Sequence, residues 1–220
     1  SHQIRKSSFQ RNNEFKLYRE AEEERANAKP LIAPFVAKLW SNYQKSIEFK
    51  RATKGTNPKS TILAHNTVDS RKLSCNGCRK IDLVITSPPY GDSATTVAYG
   101  QFSWLSHKVL GLAEMNYQSD VDNSLMGGKA ASEIVPFGFE RLDSAIHQIS
   151  QTEGVAESSM SGKRRALQVQ SFYSDYLDSI NNIVELVNEG AVICYVVANR
   201  TVRGTLLDTD NFTRWAFENR

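Results

Sequence analysis

Residues 82 to 92 read Asp-Leu-Val-Ile-Thr-Ser-Pro-Pro-Tyr-Gly-Asp, and this stretch decides the fold. Leu83, Val84 and Ile85 are consecutive apolar residues with no polar alternation, the pattern of a strand buried on both faces. Thr86 and Ser87 lead into Pro88 and Pro89, which have no backbone N–H to give and end the ladder abruptly. Tyr90 follows at once. A strand stopping on a stiff polar loop with an aromatic ring suits a site where a flat group is held by oxygen acceptors and stacked.

A second strand-like run, Ala191 to Ala198, lies far along the chain. Before it, residues 164 to 188 carry Phe172, Tyr176, Ile180, Ile183, Val184 and Val187 at steps of three and four, which predicts a long helix with one apolar stripe ended by Gly190. Strand, helix and strand make a crossover unit, so the two strands are expected to be parallel and the fold α/β. Thr61 to Ala64 is expected to be a third short strand. Open parallel sheets bind ligands outside the carboxyl ends of their strands. That rule gathers three loops at one edge: one with Asp69, one with Ser87 to Tyr90, and one with Asn199 and Arg200.

The motif Ser87-Pro88-Pro89-Tyr90, behind an apolar strand and an Asp, resembles that of the DNA amino-methyltransferases. The run from Gly91 and Asp92 through Tyr99-Gly100-Gln101-Phe102 and the segment Asn199-Arg200-Thr201-Val202-Arg203-Gly204 extend the likeness to a bacterial restriction-modification subgroup. Together they cover about two thirds of the chain, from about residue 60 onward. The resemblance implies a Rossmann-like methyltransferase sheet, S-adenosylmethionine as methyl donor, double-stranded DNA as substrate, and a location in the bacterial or archaeal cytoplasm, near the nucleoid. It implies cofactor contacts from Asp69 and Ser70 and from Thr86 and Ser87, and a catalytic role for Ser87, Pro88, Pro89 and Tyr90. Ser at the first motif position favours cytosine, with adenine open.

The chemistry fits those residue types. A base inside a duplex is reachable only when flipped out, which costs roughly a few kcal/mol. Stacking on Tyr90 offsets roughly 1–3 kcal/mol, by analogy with single-strand binders. The Ser87 hydroxyl and the Pro88 carbonyl accept the amine protons and aim the nitrogen lone pair, which is catalysis by positioning. Candidate nucleic-acid contacts are Tyr90, Asp92, Lys163, Arg164, Arg165, Asn199 and Arg200.

One expected part is missing. Such a sheet normally includes a strand followed by an aromatic residue and a Gly-x-Gly turn, and no such turn occurs; Gly127-Gly128 follows no strand. With three expected strands, unpaired edges would remain. The cofactor's Gly-rich half is therefore expected on a second subunit, on removed sequence, or across a homodimer. Two other readings stay open: an RNA or protein methyltransferase with a related loop, and a binding or assembly subunit that keeps the fold without catalysis.

The remaining sequence adds bounds. The chain has 220 residues, 40% hydrophobic and 23% charged, with a net charge of +3, which permits a local basic patch without demanding a nucleic-acid partner. No run of about twenty apolar residues marks a membrane span, and no signal peptide is seen. Cys75 and Cys78 have zinc-knuckle spacing, but a tetrahedral zinc needs two further ligands and no second such pair exists, so no metal is expected. Residues 1 to 60 are read as an N-terminal arm and helices, including one from Pro34 to about Phe49 with Val36, Leu39, Trp40, Tyr43 and Ile47 on one side. Residues 61 to 220 form the catalytic part. Within it, 101 to 112 is expected to be helical, 113 to 163 is an irregular insertion and a candidate DNA-facing loop, and Asp210 to Arg220 is a final helix.

Overall fold

The computed structural model describes residues 32–56, 59–60, 66–69, 80–89, 103–104, 107–111, 123–152 and 161–220. The chain divides into two compact units, Ser1–Ala64 and His65–Arg220. In the first, helix α1 spans Ile32–Ala52, and none of its residues is buried. Pro34 sits in its first turn, where no backbone N–H is needed. The apolar side expected to pack is exposed at Val36, Leu39, Trp40 and Tyr43. Trp40 and Tyr43 touch each other at 5.6 Å between ring centroids.

The second unit contains strand β1 (Ile81–Thr86), helix α2 (Glu140–Ser150), helix α3 (Gly162–Leu186), strand β2 (Val187–Tyr195), the short strands β3 (Arg200–Val202) and β4 (Thr205–Leu207), and helix α4 (Thr209–Glu218). β1 and β2 pair in parallel, with Leu83 opposite Val192, Ile85 opposite Cys194 and Thr86 opposite Tyr195. This mixed architecture with a small parallel sheet is that of an α/β protein. The expected strand at 61–64 lies outside the described residues; of the expected helix over 101–112, residues 103–104 and 107–109 are helical and 110–111 form a turn.

α3 holds the core together. It starts where Ser161 caps it, its side chain accepting from the Arg164 amide at 3.3 Å. No glycine or proline interrupts residues 163–186. Ala166, Val169, Tyr173, Tyr176 and Ile180 follow steps of three and four and are buried, with Phe172 beside them. Against this stripe pack Leu142, Ala145, Ile146 and Ile149 of α2 and Phe212 and Ala216 of α4. Phe212 meets Tyr173 edge-to-face at 5.0 Å. Each large side chain so buried contributes about 1.5–3 kcal/mol. Two buried hydroxyl pairs add direction: Tyr173 with Thr209 at 2.7 Å and Tyr176 with Thr213 at 2.8 Å. Partners rising together along both helices mean that α3 and α4 run parallel.

The expectations for this region are corrected in four places. α3 ends at Leu186, and β2 spans Val187–Tyr195 rather than 191–198. Gly190 lies inside β2 with φ +78°, within an irregularity between the Ile81 and Leu83 pairs, so it accommodates a bulge rather than ending the helix. The stretch 113–163 contains α2. Asp143 shapes the entry to α2 by accepting from the amides of Phe137 at 2.8 Å and Gly138 at 3.0 Å. Finally, β1 is not buried on both faces: Leu83 and Ile85 are 54% and 71% exposed. The contacts of Tyr195 with Tyr176 and Phe217 place α3 and α4 on one face of the pair, and no described element covers the other.

Candidate functional site

The loop after β1 is fastened to the end of β2. The amide of Val196 donates to the Thr86 carbonyl at 2.9 Å, and the Ser87 hydroxyl donates to the Val196 carbonyl at 3.3 Å. A hydroxyl has one proton and two acceptor lone pairs. With that proton aimed at Val196, Ser87 meets any incoming amine as an acceptor. Pro88 is buried and Pro89 half-buried. Tyr90 and Asp92 lie outside the described residues, as does Ser70.

The Asp69 loop is fixed through its neighbours. Asn66 makes the turn, its side chain accepting from the Val68 amide at 3.1 Å and its carbonyl from the Asp69 amide at 3.0 Å. Thr67 is tied to α3 on both its groups: its hydroxyl accepts from Ser179 at 2.8 Å and its carbonyl from the Asn182 side chain at 2.8 Å. These α3 residues lie one to two turns beyond Tyr176, which touches Tyr195 beside the motif loop. Asp69 is half-buried.

Asn199 and Arg200 lie four and five residues beyond the end of β2. The Asn199 side-chain oxygen accepts from the Asp210 amide at 3.0 Å, so it serves the first turn of α4. Arg200 opens β3, its backbone opposite Leu207. The segment Arg200 to Leu207 is an antiparallel hairpin whose two turn residues, Arg203 and Gly204, have φ of +51° and +78°. Both values being positive is what a tight two-residue turn requires. The hairpin was not anticipated, although a Gly closing a two-residue gap between Val202 and Thr205 is its sequence signal.

Lys163 and Arg164 are exposed in the first turn of α3, while Arg165 is half-buried and donates to Gln168 at 2.8 Å. No acidic residue accompanies them in that turn. Cations there oppose the helix macrodipole, so they are not placed for helix stability. α3 runs against β2, which puts this turn on the carboxyl side of the strands. Counting 13 residues from Tyr176 back to Lys163, the turn lies about 20 Å beyond the strand ends along the helix.

The electrostatics beneath the loop come from burial. Desolvation pushes the Tyr176 hydroxyl well above the ordinary tyrosine range, opposed by its bond to Thr213 and reinforced by Tyr195. Burial raises Tyr195 too. At the start of α4, desolvation works to raise Asp208, but its bonds to Asn211 and Arg141 outweigh it and hold the carboxyl below its usual value.

The glycines test whether a cofactor cradle is present. Among the described residues, a Cβ on Gly127 would lie 2.9 Å from Phe172, and one on Gly162 would lie 2.3 Å from the Thr152 carbonyl; both serve helix packing. Gly190 and Gly204 face open space. None forms a turn at the end of β1 or β2. Among the described residues, the Gly-rich turn expected for a cofactor is therefore not found at a strand end. No group of three or more potential metal ligands occurs among them.

No protein-family description matches the chain, and no solved structure matches it. The chain is similar to Type II methyltransferase M.MvaI of Kocuria varians, 34% identical over 220 residues. The match takes in 96% of this chain and 46% of that protein, so the chain spans about half the length of the curated relative it matches. None of the described helices is long and apolar enough to cross a membrane.

Proposed function

We propose that this chain is the base-binding part of a site-specific DNA methyltransferase that modifies an exocyclic amino group, cytosine before adenine. One observation carries the reading: a Ser-Pro-Pro loop at the carboxyl end of a parallel strand, with its serine proton directed at the Val196 carbonyl. The similarity to a Type II methyltransferase over 96% of the chain supports it.

In this reading the Ser87 hydroxyl and the Pro88 carbonyl accept the two amine protons of a flipped base. Accepting both pulls the nitrogen toward a tetrahedral geometry and points its lone pair away from the two acceptors. Tyr90 stacks on the base, and the prolines hold the loop so that no reorganisation accompanies binding. S-Adenosylmethionine, when bound, would supply a methyl group on a positive sulfur, the new N–C bond replacing the S–C bond and the surplus amine proton passing to solvent. Asp69, Ser70, Thr86 and Ser87 face that cofactor. A further polypeptide, carried by a second subunit or by more of the same protein, completes its site with a Gly-rich turn. Lys163, Arg164 and Arg200 contact phosphates flanking the flipped base, with Arg165 and Asn199 behind them and Asp92 beside the motif. The distance of about 20 Å from the strand ends suits contacts one duplex width away from the reacting base.

The test separates catalysis from binding. Ser87→Ala and Tyr90→Ala are expected to abolish methyl transfer to duplex DNA while retaining DNA binding. Transfer that survives both substitutions, or acceptance of RNA in place of DNA, would overturn the reading.

A further inference from the structure

Ser179 and Asn182 lie three residues apart on α3, hence on one face, and both are buried, at 5% and 7% exposure. Neither suits that place by itself. Serine and asparagine are weaker helix formers than alanine, and a polar side chain taken out of water is costly unless it finds a partner. A serine inside a helix often donates back to the carbonyl four residues before it. Ser179 instead donates to the Thr67 hydroxyl at 2.8 Å, and the Asn182 amide donates to the Thr67 carbonyl at 2.8 Å. One hydrogen bond would leave the turn free to swing about it; a second to the same residue removes that freedom.

The turn is also closed locally, Asn66 accepting from the amides of Val68 at 3.1 Å and Asp69 at 3.0 Å. A turn closed in this way and gripped at its second residue moves as one body, so the grip on Thr67 sets where Asp69, two residues on, presents its carboxylate. Three residues before Ser179, Tyr176 touches Tyr195, whose backbone pairs with Thr86 at the end of β1. α3 thus carries the footing of the Ser87 loop and the grip on the Asp69 turn within about 9 Å along its axis. We propose, resting on the reading above in which Asp69 faces the cofactor, that Ser179 and Asn182 are positioning residues for S-adenosylmethionine: they hold the 66–69 turn so that Asp69 meets the cofactor without reorganising. A carboxylate only accepts, so its placement against the N–H and O–H donors of the cofactor is what the grip controls. Both residues act through Thr67 and not on the reacting atoms, so their effect belongs in cofactor affinity rather than in the chemical step.

The test is made on the complete enzyme, this chain with the further polypeptide, following S-adenosylmethionine binding by calorimetry and methyl transfer to duplex DNA by label. Asn182→Ala is expected to raise Kd and KM for S-adenosylmethionine by about tenfold and Ser179→Ala by about threefold, the scale of one lost hydrogen bond, with kcat and DNA affinity within about twofold of the parent. Thr67→Val, which removes the hydroxyl and keeps the carbonyl, is expected to match Ser179→Ala, and the double variant to be no worse than either alone. Gln170→Ala is the control. Gln170 is likewise buried on α3 and its amide holds the Val135 carbonyl at 2.9 Å, about 18 Å along the helix from Asn182, so its loss is expected to lower the melting temperature and leave the cofactor's Kd unchanged. Unchanged cofactor affinity in Ser179→Ala and Asn182→Ala, a kcat that falls as KM rises, additive effects of Thr67→Val and Ser179→Ala, or an equal loss of affinity in Gln170→Ala would overturn the proposal. If Asn182→Ala does not fold, Ser179→Ala and its cycle with Thr67→Val decide. A parent enzyme that binds no S-adenosylmethionine removes the function proposed above and the role of this grip with it; a parent that binds it, with variants that bind it equally well, removes the grip's role alone.

Discussion

The core around Phe212 and the parallel pair β1–β2 are written in similarly apolar sequence, yet one is closed and the other half open. Phe172, Tyr173, Tyr176 and Phe212 are buried by three helices and a hairpin of the same unit, whereas Ile85 and Val192 of the sheet face outward. Apolar content sets how much surface must be covered; the number of neighbouring elements sets how much is. The motif loop stands on the half-open region, and the closed core steadies it through the Tyr176–Tyr195 contact and the Val196 staple.

The largest expected effect is in the closed region. Phe212→Ala removes the ring that meets Tyr173, Phe137 and Phe139, and a loss of about 3–5 kcal/mol is expected in denaturant unfolding. A loss under about 1 kcal/mol would mean this core is no tighter than the sheet. Gly162→Ala comes next. Alanine normally favours a helix over glycine by about 1 kcal/mol, but here the added methyl would press on the carbonyls of Thr152 and Ile149. Destabilisation of about 1–3 kcal/mol is expected, with a lowered melting temperature as the readout.

Alkaline titration distinguishes the two regions by charge. Tyr176 and Tyr195 both have raised ionisation ranges in the folded chain. The folded state thus holds protons that the unfolded chain releases, so the associated stability is complete below about pH 10 and falls as the pH rises above it. For Tyr176 alone the decline approaches about 1.4 kcal/mol per pH unit within that window. Tyr176→Phe is expected to flatten the decline and to cost about 1 kcal/mol at neutral pH, because the Thr213 oxygen loses its donor. An unchanged alkaline slope in that variant would move its origin elsewhere. The smallest effect belongs to the open face: Ile85→Asp, at an exposed position, is expected to change the stability of the chain alone by about 0.5 kcal/mol or less. A loss of several kcal/mol would show that the face is already covered.

Local pattern made part of this visible in advance. The β1 run, the stripe of α3, the parallel relation of β1 to β2 and the final helix α4 follow from local pattern and from the crossover rule. α2 is hidden in the sequence although Leu142, Ala145, Ile146 and Ile149 carry helical spacing, because the surrounding glycines and polar residues give 113–163 the pattern of an irregular segment. A glycine after an apolar stripe means a helix stop by default, and at Gly190 strand pairing overrides that meaning with a bulge. Burial of both faces of β1 was inferred from a continuous apolar run, and such a run records only that both faces avoid water in the finished assembly. At the site, Ser87 and its prolines were legible as a motif, whereas the Val196 staple, Thr67's ties to α3 and the capping use of Asn199 depend on long-range contacts that no local pattern contains.

The central claim is that the amine-accepting side of a methyl-transfer site is here and the cofactor's Gly-rich side is supplied by further polypeptide. Its most direct test is transfer of labelled methyl from S-adenosylmethionine to duplex DNA, with nucleoside analysis of the product, by this chain alone and together with the polypeptide encoded beside it. The account predicts label on an exocyclic amine only when both are present. Label placed by the chain alone, or on a ring carbon, would contradict it.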